Sequence, residues 1–206
     1  MKYRDFTKSI EKPYFSRHDL ALRGISLYDA ELSRWQKEGL LERIKRGLYV
    51  FADRKQYLTA EEVSALLYEP SYLSLESALS IYGLIPEGVP MQTAVTTRAT
   101  RSFSNLFGNF SYRSVKPELF FGYRVKETRY AKFLLAEPEK ALLDYFYLIR
   151  SAVDSEEDIE ELRINCGVFL ETIDGKKLRR YLKQFNSKKL ERTAGLLFSL
   201  CSHTNS

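Results

Sequence analysis

The chain is poor in the residues that carry metal and nucleophilic chemistry. Its 206 residues include only two histidines, His18 and His203, and two cysteines. No HExxH, paired-cysteine or histidine-cluster pattern is present, so the sequence indicates no metal site. The GxSxG, Walker and GxGxxG patterns are also absent. Nothing in the sequence therefore argues for an enzyme, and we expect no catalytic residue and no cofactor.

The sequence also has few cysteines and no long apolar runs. Cys166 and Cys201 are far apart and lack metal-ligand spacing, so we expect buried or idle thiols in a reducing compartment. The longest apolar runs are far too short to span a bilayer. No apolar core follows the first residues, so we expect no signal peptide and a cytoplasmic protein.

Positive charge is in excess, and all of the excess lies in the first quarter of the chain. The formal net charge is +5, from 32 Lys and Arg against 27 Asp and Glu. Residues 1–56 hold 13 basic and 8 acidic residues, whereas residues 57–206 hold 19 of each. A basic segment joined to a neutral one is typical of a nucleic-acid binder. A membrane or an acidic protein would also attract this charge, but no long basic amphipathic helix is present.

The basic segment has the pattern of two helices, a tight turn between them and a β-hairpin, over residues 15–51. Ser16 and Ser26 are predicted to cap the two helices, and Gly24 allows the turn because glycine adopts positive φ without steric cost. Gly39 is predicted to end the second helix. The apolar side chains expected on the inner faces of these helices are Leu20, Leu22, Tyr28, Leu32 and Trp35.

These elements, in this order, predict a winged helix-turn-helix, whose second helix enters the major groove and whose hairpin contacts phosphates. A helical hairpin packed on a β-hairpin in any α+β domain is the alternative, and the charge distribution favours DNA. For the groove candidates Ser33, Arg34 and Lys37 the alternative is ordinary helix surface, and for Tyr28 it is core packing. The candidate DNA-binding residues are Arg17, Ser26, Tyr28, Ser33, Arg34, Lys37, Arg43, Lys45 and Arg46.

Residues 57–206 predict a mixed α+β domain, which a short polar linker at residues 52–57 joins to the winged helix-turn-helix domain of residues 1–56. A capping box of Thr59 and Glu62 begins its first helix. Segments rich in β-branched and aromatic residues predict a sheet of about four strands, at residues 92–97, 110–115, 119–125 and 133–136. Further helices follow, the C-terminal ones from about residue 155. The predicted fold class is α+β.

Four stretches of the chain resemble the AbiEi antitoxins, the DNA-binding members of the bacterial AbiE toxin–antitoxin pairs, which are classed as type IV. The first is the end of the winged module, GLLERIKRGLY at residues 39–49. The others are YLSLESALSIYGLIPE at residues 72–87, TTRATR at 96–101 with FSYR at 110–113, and AEPEKALLD at 136–144. Together they span most of residues 15–148.

This resemblance implies a two-part antitoxin of the abortive-infection, phage-defence type. Its winged helix would bind inverted repeats in its own promoter and repress the operon. Its C-terminal domain would counter a nucleotidyltransferase-like toxin, and no stable complex with the toxin is required. Polar residues inside the matching stretches are candidates for the antitoxin function, although structural roles explain most of them more simply: Ser74, Glu76, Thr97, Arg101 and Arg113.

Two other functions are compatible with the sequence. The chain could be a stand-alone winged-helix regulator whose second domain senses a ligand or a partner, and an isolated gene without a neighbouring toxin would favour this. It could also modify the toxin covalently, and an altered toxin after incubation would favour that.

Overall fold

The N-terminal part of the chain folds into a small sheet covered by three helices. The structure is a computed structural model and describes residues 1–86, 88–149, 153 and 155–204, so Glu87, the last residue of one matching stretch, lies outside it. The strands are antiparallel in the order β1-β3-β2. The elements are α1 (Tyr3–Ser9), β1 (Tyr14–Ser16), α2 (Arg17–Leu22), α3 (Asp29–Lys37), β2 (Leu41–Lys45) and β3 (Leu48–Phe51).

The predicted helix-turn-helix and hairpin are present, and the caps explain where the helices begin and end. Ser16 and Asp19 form a reciprocal capping box at the start of α2. Gly24 and Gly39 have φ values of +68° and +70° in the turns that follow α2 and α3. Strand β1, which the pattern did not predict, adds a third strand to the hairpin.

Three details of the predicted helices are wrong. Ser26 does not cap the second helix, because α3 begins at Asp29 and the Tyr28 N–H donates to Glu31 Oε2 at 3.0 Å. Tyr28, at the N-cap, is 75% exposed and does not belong to the buried side of α3. Leu22 is 74% exposed, because it lies about 200° around the helix from the buried Leu20.

Aromatic rings fill the core of the N-terminal module. The Trp35 ring is 1% exposed and stacks on Phe6, with ring centroids 5.3 Å apart. The Phe6 ring also packs edge to face against Phe15, with ring centroids 4.9 Å apart, and it contacts the ring of Phe51. Because Phe6 comes from α1, Trp35 from α3 and Phe51 from the hairpin, the Phe6 ring joins all three layers of the module.

Replacing Trp35 with alanine is therefore expected to destabilise the protein by about 3–5 kcal/mol, since a buried aromatic ring is lost and a cavity remains. Urea unfolding followed by circular dichroism measures the change. Leu22→Ala, at an exposed position of the same module, is the control and should leave the unfolding midpoint nearly unchanged. Equal midpoints for the Trp35 variant and the unchanged protein would contradict this account of α3.

The rest of the chain forms a six-stranded mixed sheet with helices packed against it, which confirms the predicted α+β class. The strand order is β6-β7-β5-β4-β9-β8. A 3₁₀ helix at Lys55–Tyr57 leads into this part. Its elements are α4 (Ala60–Leu67), β4 (Ser71–Leu73), α5 (Leu75–Ile81), β5 (Met91–Thr96), β6 (Arg101–Asn105), β7 (Gly108–Ser114), β8 (Tyr123–Glu127), β9 (Lys132–Ala136), α6 (Pro138–Leu148), α7 (Glu156–Glu160), α8 (Cys166–Thr172), α9 (Gly175–Phe185) and α10 (Lys188–Thr204).

The sequence predicted about four strands, whereas the sheet has six. Strand β4 was missed because it has three residues, and β6 because its sequence RSFSN is mostly polar, as suits an edge strand. The predicted strand at residues 119–125 starts later, because Pro117–Leu119 forms a 3₁₀ helix. The strands predicted at residues 92–97, 110–115 and 133–136 are confirmed as β5, β7 and β9.

The expectation of two idle thiols is wrong. Cys166 and Cys201 form a disulfide that links α8 to α10. Both helices pack on the core that α6 and α9 also bury, which brings the two sulfurs together despite their separation along the chain. No helix among the described residues is long and apolar enough to cross a membrane.

The two parts of the chain share a buried apolar cluster, here called the junction cluster. The wing and β1 contribute Tyr14, Ile44, Leu48 and Val50. The second part covers them with side chains between residues 58 and 131, namely Leu58, Val63, Leu67, Ala94, Phe110, Tyr112 and Ala131. Residues 52–57 connect the two parts in sequence, but packing continues across that linker.

Candidate nucleic-acid interface

Helix α3 and the wing hairpin enclose an open cleft of about 610 Å³. Four of the candidate DNA-binding residues line it together, from α2, α3 and the wing: Arg17, Ser33, Arg43 and Arg46. Asp29 and Gln36 of α3 line it as well. The cleft thus gathers three guanidinium groups along α3, one from α2 and two from the wing.

The charges in this cleft are only partly neutralised within the protein. Arg17 forms an ion pair with Asp29, and their side chains are 46% and 84% exposed. Arg43 and Arg46 are exposed and form no ion pair with any residue that the structure describes. Their guanidinium groups therefore keep their donors for an external anion, and a planar fork of donors matches a phosphate group.

The outer face of α3 carries Ser33 together with the other candidates on this helix. Ser33, Arg34 and Lys37 are exposed, on the side opposite the buried Leu32 and Trp35. Arg34 is only loosely paired, with its Nε 3.9 Å from Glu38 Oε1. Tyr28 and Ser26 are exposed in the approach to α3, so core packing does not explain Tyr28. These polar groups protrude at the start and along the outer face of the helix.

Lys45 has a different environment from its neighbour Arg46. Its ammonium donates hydrogen bonds to the carbonyl oxygens of Leu66 and Leu67, at 2.8 and 2.9 Å. These carbonyls lie at the C-terminal end of α4, where a cation is favoured. Burial lowers the pKa of the Lys45 ammonium. Lys45, which was predicted to contact a phosphate, thus binds the end of α4 and links the wing to that helix. Arg46 remains exposed at the tip of the wing.

The candidates in the second part of the chain are not gathered into one site. Ser74 is buried, and Glu76 lines a separate cleft beside Tyr145. Arg101 pairs with Tyr112 in register, so it lies on the opposite face of the sheet from Arg113. These residues therefore do not form one binding or catalytic site.

The sequence reasoning missed a buried polar network around Asp144, to which Ser74 belongs. Lys140 and Asp144 are completely buried, one turn apart on α6, and form an ion pair. Asp144 Oδ2 also accepts hydrogen bonds from Tyr72 at 2.9 Å and Ser74 at 2.8 Å, and the Lys140 ammonium donates to the Tyr72 hydroxyl at 2.7 Å. Burial lowers the pKa of Lys140 and raises that of Asp144, while their mutual attraction opposes both shifts. The sequence signal for this network was a lysine and an aspartate four residues apart in a largely apolar helix.

Replacing Asp144 with alanine is expected to destabilise the protein by about 3–5 kcal/mol, because the Lys140 ammonium stays buried without its carboxylate. Urea unfolding at neutral pH measures the loss. Glu127→Ala breaks the exposed pair with Lys132 and should cost less than about 1 kcal/mol. A small loss for Asp144→Ala, similar to that of the control, would show that the network does not hold α6 to β4.

The arrangement of α2, α3 and a basic wing around an open cleft is that of a winged helix-turn-helix module. The model of a family described as "Transcriptional regulator, AbiEi antitoxin" matches residues 9–52, from the end of α1 through the wing. The match confirms the predicted resemblance for the first of the four stretches, residues 39–49, and the chain is similar in this module to an AbiEi-type antitoxin and transcriptional regulator. No curated protein matches the chain.

Proposed function

We propose that this protein is the antitoxin of a bacterial type IV toxin–antitoxin pair, which binds operator DNA and represses its own operon. The observation that carries the proposal is the cleft between α3 and the wing, where Arg43 and Arg46 are exposed and unpaired within the described structure. This cleft lies inside the segment that the AbiEi regulator family matches.

In this proposal, α3 enters the major groove and the wing lies along the phosphate backbone. Ser33, Arg34 and Lys37 face base edges, because they protrude from the outer side of the helix. Arg43 and Arg46 hold phosphates, which positions the protein without specifying sequence. Arg17 is already paired with Asp29, so its contact with a phosphate must compete with that carboxylate.

The wing contribution is tested by the salt dependence of binding to a duplex from the upstream region of the gene. Each phosphate neutralised contributes about −0.9 to the slope of log affinity against log salt. Arg43→Ala/Arg46→Ala should therefore make the slope shallower by about 1.8, with sequence preference retained. A control with the same charge change, Lys183→Ala/Lys188→Ala in exposed positions of the C-terminal helices, should retain the original slope. An unchanged slope for the wing variant would remove the wing from the interface.

The second part of the proposal is that residues 57–206 counter a nucleotidyltransferase-like toxin, without requiring a stable complex. Support comes from the resemblance of residues 72–87 and 136–144 to the antitoxin family. A fragment of residues 57–206 would be a poor reagent, because removing the wing exposes its side of the junction cluster, including Val63 and Leu67. A full-length variant that cannot bind DNA avoids this exposure.

We expect the full-length Arg43→Ala/Arg46→Ala variant to lose repression of the promoter and still rescue cells from the toxin encoded beside it. Promoter activity is read with a reporter, and rescue is read as growth with both proteins expressed from unrelated promoters. Loss of rescue in the folded variant would mean that the winged module takes part in neutralisation. Absence of a toxin gene beside this one would favour the alternative, a stand-alone regulator with a sensing domain.

A further inference from the structure

A second cleft, here called the Glu76 cleft, lies in the part of the chain that follows the wing. It holds about 270 Å³ and receives side chains from α5, from the loop after α5 and from α6. The residues that line it are Glu76, Ile85, Gly88, Val89, Pro90, Tyr145, Glu161 and Leu162. None of them belongs to the wing or to the junction cluster. The Glu76 cleft is therefore separate from the proposed DNA-binding surface.

The walls of the Glu76 cleft are held in place by the main core. Tyr145 and Leu162 are each only 7% exposed and belong to that core, and Ile85 packs against it. Helix α5 is fixed to β5 next to Glu76, because the Ser77 N–H donates to Thr93 Oγ1 at 3.0 Å. The Thr93 N–H donates in return to Ser77 Oγ at 2.7 Å. The cleft is thus formed by the fold itself.

The charge in the Glu76 cleft is negative and has no counter-ion on its lining. The Glu76 oxygen Oε2 is buried and accepts no hydrogen bond from any residue that the structure describes. Glu76 lies in the first turn of α5, where a helix favours negative charge, but a buried acceptor without a donor still costs free energy. Glu161 adds a second carboxylate, and none of the lining residues is basic.

These properties define the chemistry of a ligand. Two carboxylates disfavour an anion, and the described residues include no group of three side chains that could hold a metal ion. The apolar walls of Ile85, Val89 and Leu162 suit a hydrocarbon stem. An aromatic ring such as that of Tyr145 also favours a cation beside it.

We propose that the Glu76 cleft binds a small organic cation, namely an ammonium or guanidinium group on a short apolar stem. The positive head compensates the carboxylates of Glu76 and Glu161, and the stem occupies the apolar walls. Such a group belongs either to a free amine or to a lysine or arginine side chain of a partner protein. The inference does not rest on operator binding, since the lining residues lie outside the winged module.

Titration of the isotope-labelled full-length protein with n-butylammonium chloride tests the proposal, with amide NMR shifts as the readout and ionic strength held constant. Saturable shifts are expected at Glu76, Ile85 and Val89. The uncharged n-butanol should bind at least about 10-fold more weakly, because it leaves the carboxylates without a counter-ion. Methylammonium should also bind more weakly, by about 4-fold for each buried methylene group that it lacks.

A variant with one charge fewer gives a second test. Glu76→Gln keeps the shape of the side chain and should weaken n-butylammonium binding at least about 10-fold. Glu118→Gln, at an exposed position of the 3₁₀ helix Pro117–Leu119, is the matched control and should keep the original affinity. Melting temperatures report folding, and the comparison of n-butylammonium with n-butanol on the unchanged protein requires no variant.

The source of the cation is distinguished by a lysine whose backbone is blocked at both ends, Nα-acetyl-lysine methylamide. Affinity equal to that of n-butylammonium would assign the Glu76 cleft to a side chain of a partner protein, and much weaker affinity would assign it to a free amine. Equal binding of n-butylammonium and n-butanol would overturn the proposal. So would an absence of shifts at the lining residues up to about 50 mM, a concentration that saturates a millimolar site. Either result leaves operator binding unaffected.

Discussion

The packing of the wing against α4 and the six-stranded sheet is the interaction on which the arrangement of the whole molecule depends. Ile44, Leu48 and Val50 give the hairpin an apolar side that the second part of the chain covers. Lys45 adds two hydrogen bonds to main-chain carbonyls at the border of that contact. An isolated two-stranded hairpin is at best marginally stable in water. The wing is therefore held in the shape that DNA would meet by both the aromatic core of its own module and the sheet behind it.

Two pairs of exposed arginines are held by different parts of this arrangement. Arg43 and Arg46 lie on the hairpin itself, beside an open cleft. Arg98 and Arg101 lie on aromatic rings of the part that supports the hairpin. The first group is therefore carried by a hairpin that depends on its neighbours for its shape, and the second group is carried by the part that gives this support.

Much of the N-terminal module could be predicted because its signals are local. Ser16, Gly24 and Gly39 begin or end helices through contacts with neighbouring residues only. The spacing of Leu32 and Trp35 indicates one buried face of α3. The family model matches the part of the chain in which these local signals lie. Ser26 was misplaced because Glu31 supplies the capping bond for a helix that starts later.

The site was harder to predict because its composition depends on contacts distant in sequence. Lys45 and Arg46 are adjacent and equally basic, and only the position of α4, about twenty residues further on, distinguishes them. The Asp144 network joins residues some seventy positions apart, and the disulfide joins two helices whose packing no local pattern reports. The polar strand β6 was missed because edge strands lack the apolar alternation by which buried strands are recognised.

The open edge of the six-stranded sheet at β8 has a consequence for how copies of the protein would share one operator. Residues 124–127 of this strand are exposed, and they include Arg124 and Lys126. Charged side chains on an edge strand oppose edge-to-edge pairing with a second sheet. Two copies on the halves of an inverted repeat would thus not join through a continuous sheet at this edge. Their separation would instead be set by the helical repeat of the DNA, so inserting half a turn between the half-sites would turn the two copies to opposite sides of the duplex.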